Sequence, residues 1–138
     1  MAATEPVYIL DACAVIALLH GEQGSGEVAA LLEEPENRCR IHALNLCEVF
    51  YDGLRRSGLS DAARLEALLA RNGIDIETEI PRSLWESAGQ LKVALRISLA
   101  DCFALALALQ EKGTMVTSDH KELDRVAAAG ICPIQFIR

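Results

Sequence analysis

The stretch Val7-Tyr8-Ile9-Leu10-Asp11, followed at once by the apolar run Ala12–Leu19, decides how the rest of the chain reads. Val7–Leu10 is short, apolar and uncharged, which predicts a strand buried on both faces. The run after Asp11 predicts a helix, so an acid stands where one element hands over to the next. That junction recurs in Ala43-Leu44-Asn45-Leu46-Cys47-Glu48, Ser98-Leu99-Ala100-Asp101 and Met115-Val116-Thr117-Ser118-Asp119. If the apolar stretches are parallel strands, Asp11, Glu48, Asp101 and Asp119 reach one end of one sheet.

Working outward, strand and helix signals alternate throughout. Gly21 to Gly26 is a turn cluster, and Glu27–Glu34 reads as helix up to Pro35. Arg38–His42 is a strand candidate. A helix is predicted from about Asn45 to Arg56, with Leu46, Val49, Phe50 and Leu54 at helical spacing. Gly58 reads as its stop and Ser60 as the cap of a helix over Asp61–Arg71. Ile74–Ile76 predicts a strand, and Pro81 suits the first turn of a helix to about Leu95. Ser98–Lys112 predicts a helix stopped by Gly113, Thr114–Thr117 a strand, Lys121–Ala129 a helix, and Pro133–Ile137 a last strand. The expected fold is α/β: one domain over 1–138 with a mainly parallel five-stranded sheet flanked by helices. In such sheets, sites form beyond the carboxyl ends of the strands.

The 138 residues suffice for one sizeable core, and half of them are apolar. The net charge of −7 is uneven: residues 1–37 hold seven acids and no Lys or Arg, whereas the rest holds 13 acids and 13 bases. Such a chain is a poor non-specific polyanion binder, so action on nucleic acid requires metal ions and a local basic patch. Arg55-Arg56 and Lys92/Arg96 are the densest basic candidates, with solvated faces as the plain alternative. The cysteines are odd in number (Cys13, Cys39, Cys47, Cys102 and Cys132) and form no CxxC pair, which reads as small buried residues in a reducing cytosol. The run from Val7 to Leu19 has no preceding base and contains an Asp, so it does not read as a signal sequence. No apolar run is long enough for a membrane span, and a cytoplasmic location is expected.

Each acid also has a local structural reading. Asp11 and Asp119 can cap the helices that follow them, and Asn45/Glu48 and Ser98/Asp101 resemble capping boxes. Caps, however, are normally exposed, and these acids sit in apolar text. Two carboxylates about 5 Å apart at an effective dielectric near 20 repel by roughly 3 kcal/mol, and four together cost more. A divalent cation reverses that sum. Oxygen ligands and scattered histidines (His20, His42 and His120) favour Mg²⁺ over Zn²⁺. Such a site suits in-line attack of water on a phosphodiester. Glu122 and Asp124 are intermediate, and either could add an oxygen ligand; Asp124 is kept as a possible auxiliary. Asp52, Glu77 and Glu111 read as ordinary surface charge. There is no Walker-type loop, GxSxG elbow or HExxH.

On Tyr8-Ile9-Leu10-Asp11, Asn45-Leu46-Cys47-Glu48, Ser98-Leu99-Ala100-Asp101-Cys102-Phe103-Ala104-Leu105-Ala106 and Val116-Thr117-Ser118-Asp119, the chain resembles PIN-domain proteins of the VapC-like toxin type. The ordered set carries the resemblance over essentially the whole chain. It implies a parallel-sheet nuclease, Mg²⁺ or Mn²⁺ dependence, and endonucleolytic cleavage of RNA. Asp11, Glu48, Asp101 and Asp119 would be the metal-holding and catalytic quartet. A homodimer and a small cognate antitoxin covering the acidic site are implied too. Ala12 and Cys13 stand where the family usually carries Thr or Ser and then a polar residue, so a hydroxyl that orients water is missing there. Thr117 and Ser118 are left as auxiliaries for that role. The competing expectation is a catalytically silent module of the same fold that binds RNA or a protein. A haloacid-dehalogenase-type phosphatase needs an Asp at position 13, where Cys stands.

Overall fold

The computed structural model describes residues 5–57 and 61–138. Its elements are β1 (Val7–Leu10), α1 (Ala12–His20), α2 (Ser25–Glu33), β2 (Arg38–His42), α3 (Ala43–Ser57), α4 (Ala62–Arg71), β3 (Ile74–Glu77), α5 (Arg82–Leu95), α6 (Leu99–Gln110), β4 (Thr114–Thr117), α7 (His120–Ala128) and β5 (Ile134–Phe136). The sheet runs β3-β2-β1-β4-β5, and every pairing is parallel. The chain leaves β1 in one direction to build β2 and β3, then crosses over to add β4 and β5. β1 and β4 therefore flank the switch point, where a crevice opens beyond their carboxyl ends.

Alternation along the buried strands divides the core. Ile9 and Met115 pack with α5, α6 and α7, through residues such as Leu84, Leu105 and Leu123. Leu10 and Val116 pack on the other face with α1 to α4, through Val15, Val28, Val49 and Leu69. Helix α6 is buried from Asp101 to Ala108, so its polar first turn is carried inward with its apolar body. Gly113 lets the chain pass close under β1, since a Cβ there would lie 2.6 Å from the Val7 carbonyl oxygen. No helix among the described residues is long and apolar enough to cross a membrane.

Several local expectations are corrected. Helix α3 starts at Ala43, so Asn45 is not a cap: it is buried in the first turn, and its Nδ2 donates to the Ala100 carbonyl at 3.2 Å. The capping atom comes from the end of β2 instead, where His42 Nδ1 accepts the Leu44 N–H at 3.1 Å. That bond fixes the tautomer, leaving the His42 Nε2 proton to meet the Glu79 carbonyl at 3.1 Å. Helix α4 is capped by Asp61, whose Oδ1 accepts from the Arg64 N–H. Gly58 and Ser60, read as stop and cap, lie outside the described residues. Cys39, Cys102 and Cys132 are buried as expected, but Cys47 is exposed.

Candidate metal centre

Asp11 extends β1 by one residue, its N–H donating to the Val116 carbonyl at 3.0 Å. It caps α1 as expected, Oδ1 accepting from the Ala14 N–H at 2.9 Å. Its other oxygen accepts a short bond from the Thr117 hydroxyl, and Thr117 Oγ1 accepts the Asp119 N–H at 3.0 Å. One threonine thus ties the ends of β1 and β4 together and orients two acids at once. Its hydroxyl proton is committed to Asp11, and one lone pair to the Asp119 amide.

Asp101 reaches the same crevice from the first turn of α6. Ser98 caps that helix, its Oγ accepting from the Asp101 N–H at 3.2 Å. The reciprocal half of the expected capping box is replaced. The Ser98 N–H donates not to Asp101 but to Glu122 Oε2, at 3.1 Å, from α7. A tertiary acid satisfies the cap amide, and Asp101 is released to face the other carboxylates. Glu122 in turn is placed by Asp119, whose Oδ1 accepts the Glu122 N–H at 3.1 Å.

Oxygens of Asp101, Asp119 and Glu122 all lie within 4.8 Å of one another. Asp11 and Glu48 border the group: the Asp119 and Glu48 charges both act on Asp11, and those of Glu122 and Asp119 act on Glu48. The expected quartet thus lies in or beside this group, and Glu122, read from the sequence only as an intermediate candidate for a further oxygen ligand, joins it. Its spacing three residues after Asp119 was the available signal, but that spacing reads as a local cap. Asp124, two positions further along α7, points elsewhere and pairs with His120 at 2.7 Å.

The electrostatics record the crowding. Burial is the main cause that pushes Asp11 up to about 7, with the Asp119 and Glu48 charges adding and the Thr117 and Ala14 hydrogen bonds opposing. Burial likewise pushes Asp101 up to about 8, helped by its hydrogen bond to Glu122 and by the Asp11 and Glu122 charges. Glu122 is held low, chiefly by that same bond. Glu48, partly buried, is raised. Cys13 lies beside these acids with its thiol bonded to Ser118; burial, then the Asp11 charge, pushes it up to about 12.

An all-carboxylate set that holds protons near neutral pH fits a hard divalent cation, which would displace those protons. Thr117→Val is expected to weaken Mn²⁺ binding about 10- to 100-fold, the scale for a partner that orients a ligand. Calorimetric titration with Mn²⁺ measures it, and an unchanged affinity would show that the hydroxyl does not position the site.

The PIN domain family matches residues 8–129, and the chain belongs to that family. In fold it is similar to chains of VapBC-type assemblies. A toxin-antitoxin complex from Klebsiella pneumoniae aligns with TM-score 0.69 at 19% identity, covering 95% of this chain and 98% of that one. VapBC-1 from nontypeable Haemophilus influenzae aligns with TM-score 0.67 at 16% identity, over 95% and 98%. VapBC2 from Rickettsia felis, bound to a DNA fragment from its promoter, aligns with TM-score 0.69 at 18% identity, over 94% and 98%. Among curated proteins, none matches by sequence.

Proposed function

We propose that the protein is a Mg²⁺- or Mn²⁺-dependent endoribonuclease and the toxin of a toxin-antitoxin pair. One observation carries the chemistry: carboxylate oxygens from α6 and α7 converge within 4.8 Å, at the switch point of a PIN-domain sheet. When bound, a divalent cation supplies positive charge against the phosphate and makes water acidic enough to attack. Asp101, Asp119 and Glu122 would hold it, with Asp11 aimed at it by Thr117 and the Ala14 amide. Glu48, bordering the group, would bind the ion or orient the attacking water. A homodimer and a covering antitoxin belong to the same reading; likeness to VapBC complexes supports the antitoxin partner at the level of fold.

Cys13 favours a second reading, a silent RNA- or protein-binding module, because its thiol supplies no hydroxyl beside Asp11. One experiment separates the two. The purified protein should cut RNA at substoichiometric concentration with Mn²⁺ and stop with EDTA. Metal binding without cleavage of varied RNAs would leave the silent module.

A further inference from the structure

Helix α3 leads away from the crevice, and beyond Glu48 it carries an exposed aromatic and a basic residue. Tyr51 and Arg55 lie three and seven positions after Glu48, so all three share one face of the helix. At 1.5 Å per residue, Tyr51 stands about 4.5 Å and Arg55 about 10.5 Å further along the axis. Tyr51 is 43% exposed although its side chain is large and aromatic. The Arg55 guanidinium lies over that ring, 5.1 Å from its centroid.

The neighbouring arginine gives the contrast. Arg56 is occupied, 2.9 Å from Asp52 and 3.1 Å from Glu22. Arg55 makes no ion pair among the described residues. In a chain of net charge −7, Arg55 is a guanidinium with no partner carboxylate among the described residues, on the same helix face as Glu48. Exposed aromatic faces and arginine planes are what unpaired bases stack on, and the arginine fork matches a phosphate.

We propose that Tyr51 and Arg55 form a nucleotide subsite for single-stranded RNA, stacking a base next to the phosphodiester held at the acidic crevice. The inference rests on the nuclease reading and narrows its substrate to RNA that is unpaired near the cut. A duplex hides the base faces the subsite needs.

The test uses a short, labelled, mixed-sequence single strand and a blunt hairpin duplex of the same RNA. Affinities are measured by fluorescence anisotropy on the Asp101→Asn background, so that cleavage does not interfere. Tyr51→Ala should weaken single-strand binding about 5- to 100-fold, whereas Tyr51→Phe, which keeps the ring, should not. Arg55→Gln should weaken it and lower the salt slope by about one. Duplex binding should change little in any variant. Unchanged single-strand affinity in Tyr51→Ala overturns the subsite, as does an equal loss for the duplex. Arg55→Gln and Tyr51→Leu are read in the same way if Tyr51→Ala does not fold. Wild-type cleavage with unaltered variant binding would sink the subsite alone. Stacking-dependent binding without cleavage would sink the nuclease reading alone.

Discussion

Asp101→Asn is expected to abolish metal-dependent RNA cleavage and, at the same time, to make the metal-free protein more stable. The activity loss should exceed about 100-fold, since even partners that merely orient metal ligands act on that scale. The gain in stability follows from burial. Asp101 is 8% exposed, and burial first, then its bond to Glu122 and the neighbouring acidic charges, push its pKa up to about 8. Asparagine keeps the shape and removes the charge. Near pH 8 the metal-free melting point should rise by about 3–6 °C, corresponding to about 1–2 kcal/mol. A variant that melts lower than wild type at that pH would refute the crowding argument.

The same groups set a pH trend in the wild type. Asp11 and Asp101 have folded pKa values of about 7 and about 8, above the ordinary carboxylate value of 3.8. Between those limits the folded state binds more protons than the unfolded chain, so these two groups lower stability as pH rises from about 4 to about 8. Added Mn²⁺ should raise the melting point more at pH 8 than at pH 6, because fewer protons remain to be displaced. Equal shifts at both pH values would contradict the proton-holding assignment.

The second large effect lies on the α5–α6 side of the sheet. Arg40, 8% exposed in the middle of β2, pairs with Glu77 on β3 and Glu111 at the end of α6. Removing the cation leaves two carboxylates facing each other in a half-closed space. Arg40→Met should cost about 3–5 kcal/mol, which lowers the melting point by about 10 °C. Adding Glu77→Gln and Glu111→Gln should restore most of the loss. If the triple variant is no more stable than Arg40→Met, charge pairing is not what Arg40 supplies.

These two sites show what the sequence discloses. Asp11 and Asp119 were legible because each directly follows an apolar strand, a relation local in the chain. Asp101 and Glu48 were legible as acids in apolar text and through the ordered family motifs. Glu122 was legible only as an intermediate candidate, level with Asp124, because its role depends on the Ser98 amide, delivered by a different helix. Arg40, Glu77 and Glu111 failed for the same reason: period-2 alternation puts Arg40 on what reads as a solvent face, and α5 and α6 cover that face only after folding. The strand count and parallel sense were readable from the alternation of short apolar runs with helices. The start of α3 was misplaced because His42, a strand residue, supplies the cap.

The bond between the Ser98 amide and Glu122 has a consequence for the order of events during synthesis. The group of Asp101, Asp119 and Glu122 is complete only once polypeptide has been made through Glu122 and α7 has settled against α6. A ribosome-bound fragment ending before that point lacks Glu122, so the group it forms with Asp101 and Asp119 is incomplete. On the nuclease reading proposed above, hydrolytic capacity would therefore arise late in the birth of the chain, after α7 has been made and packed.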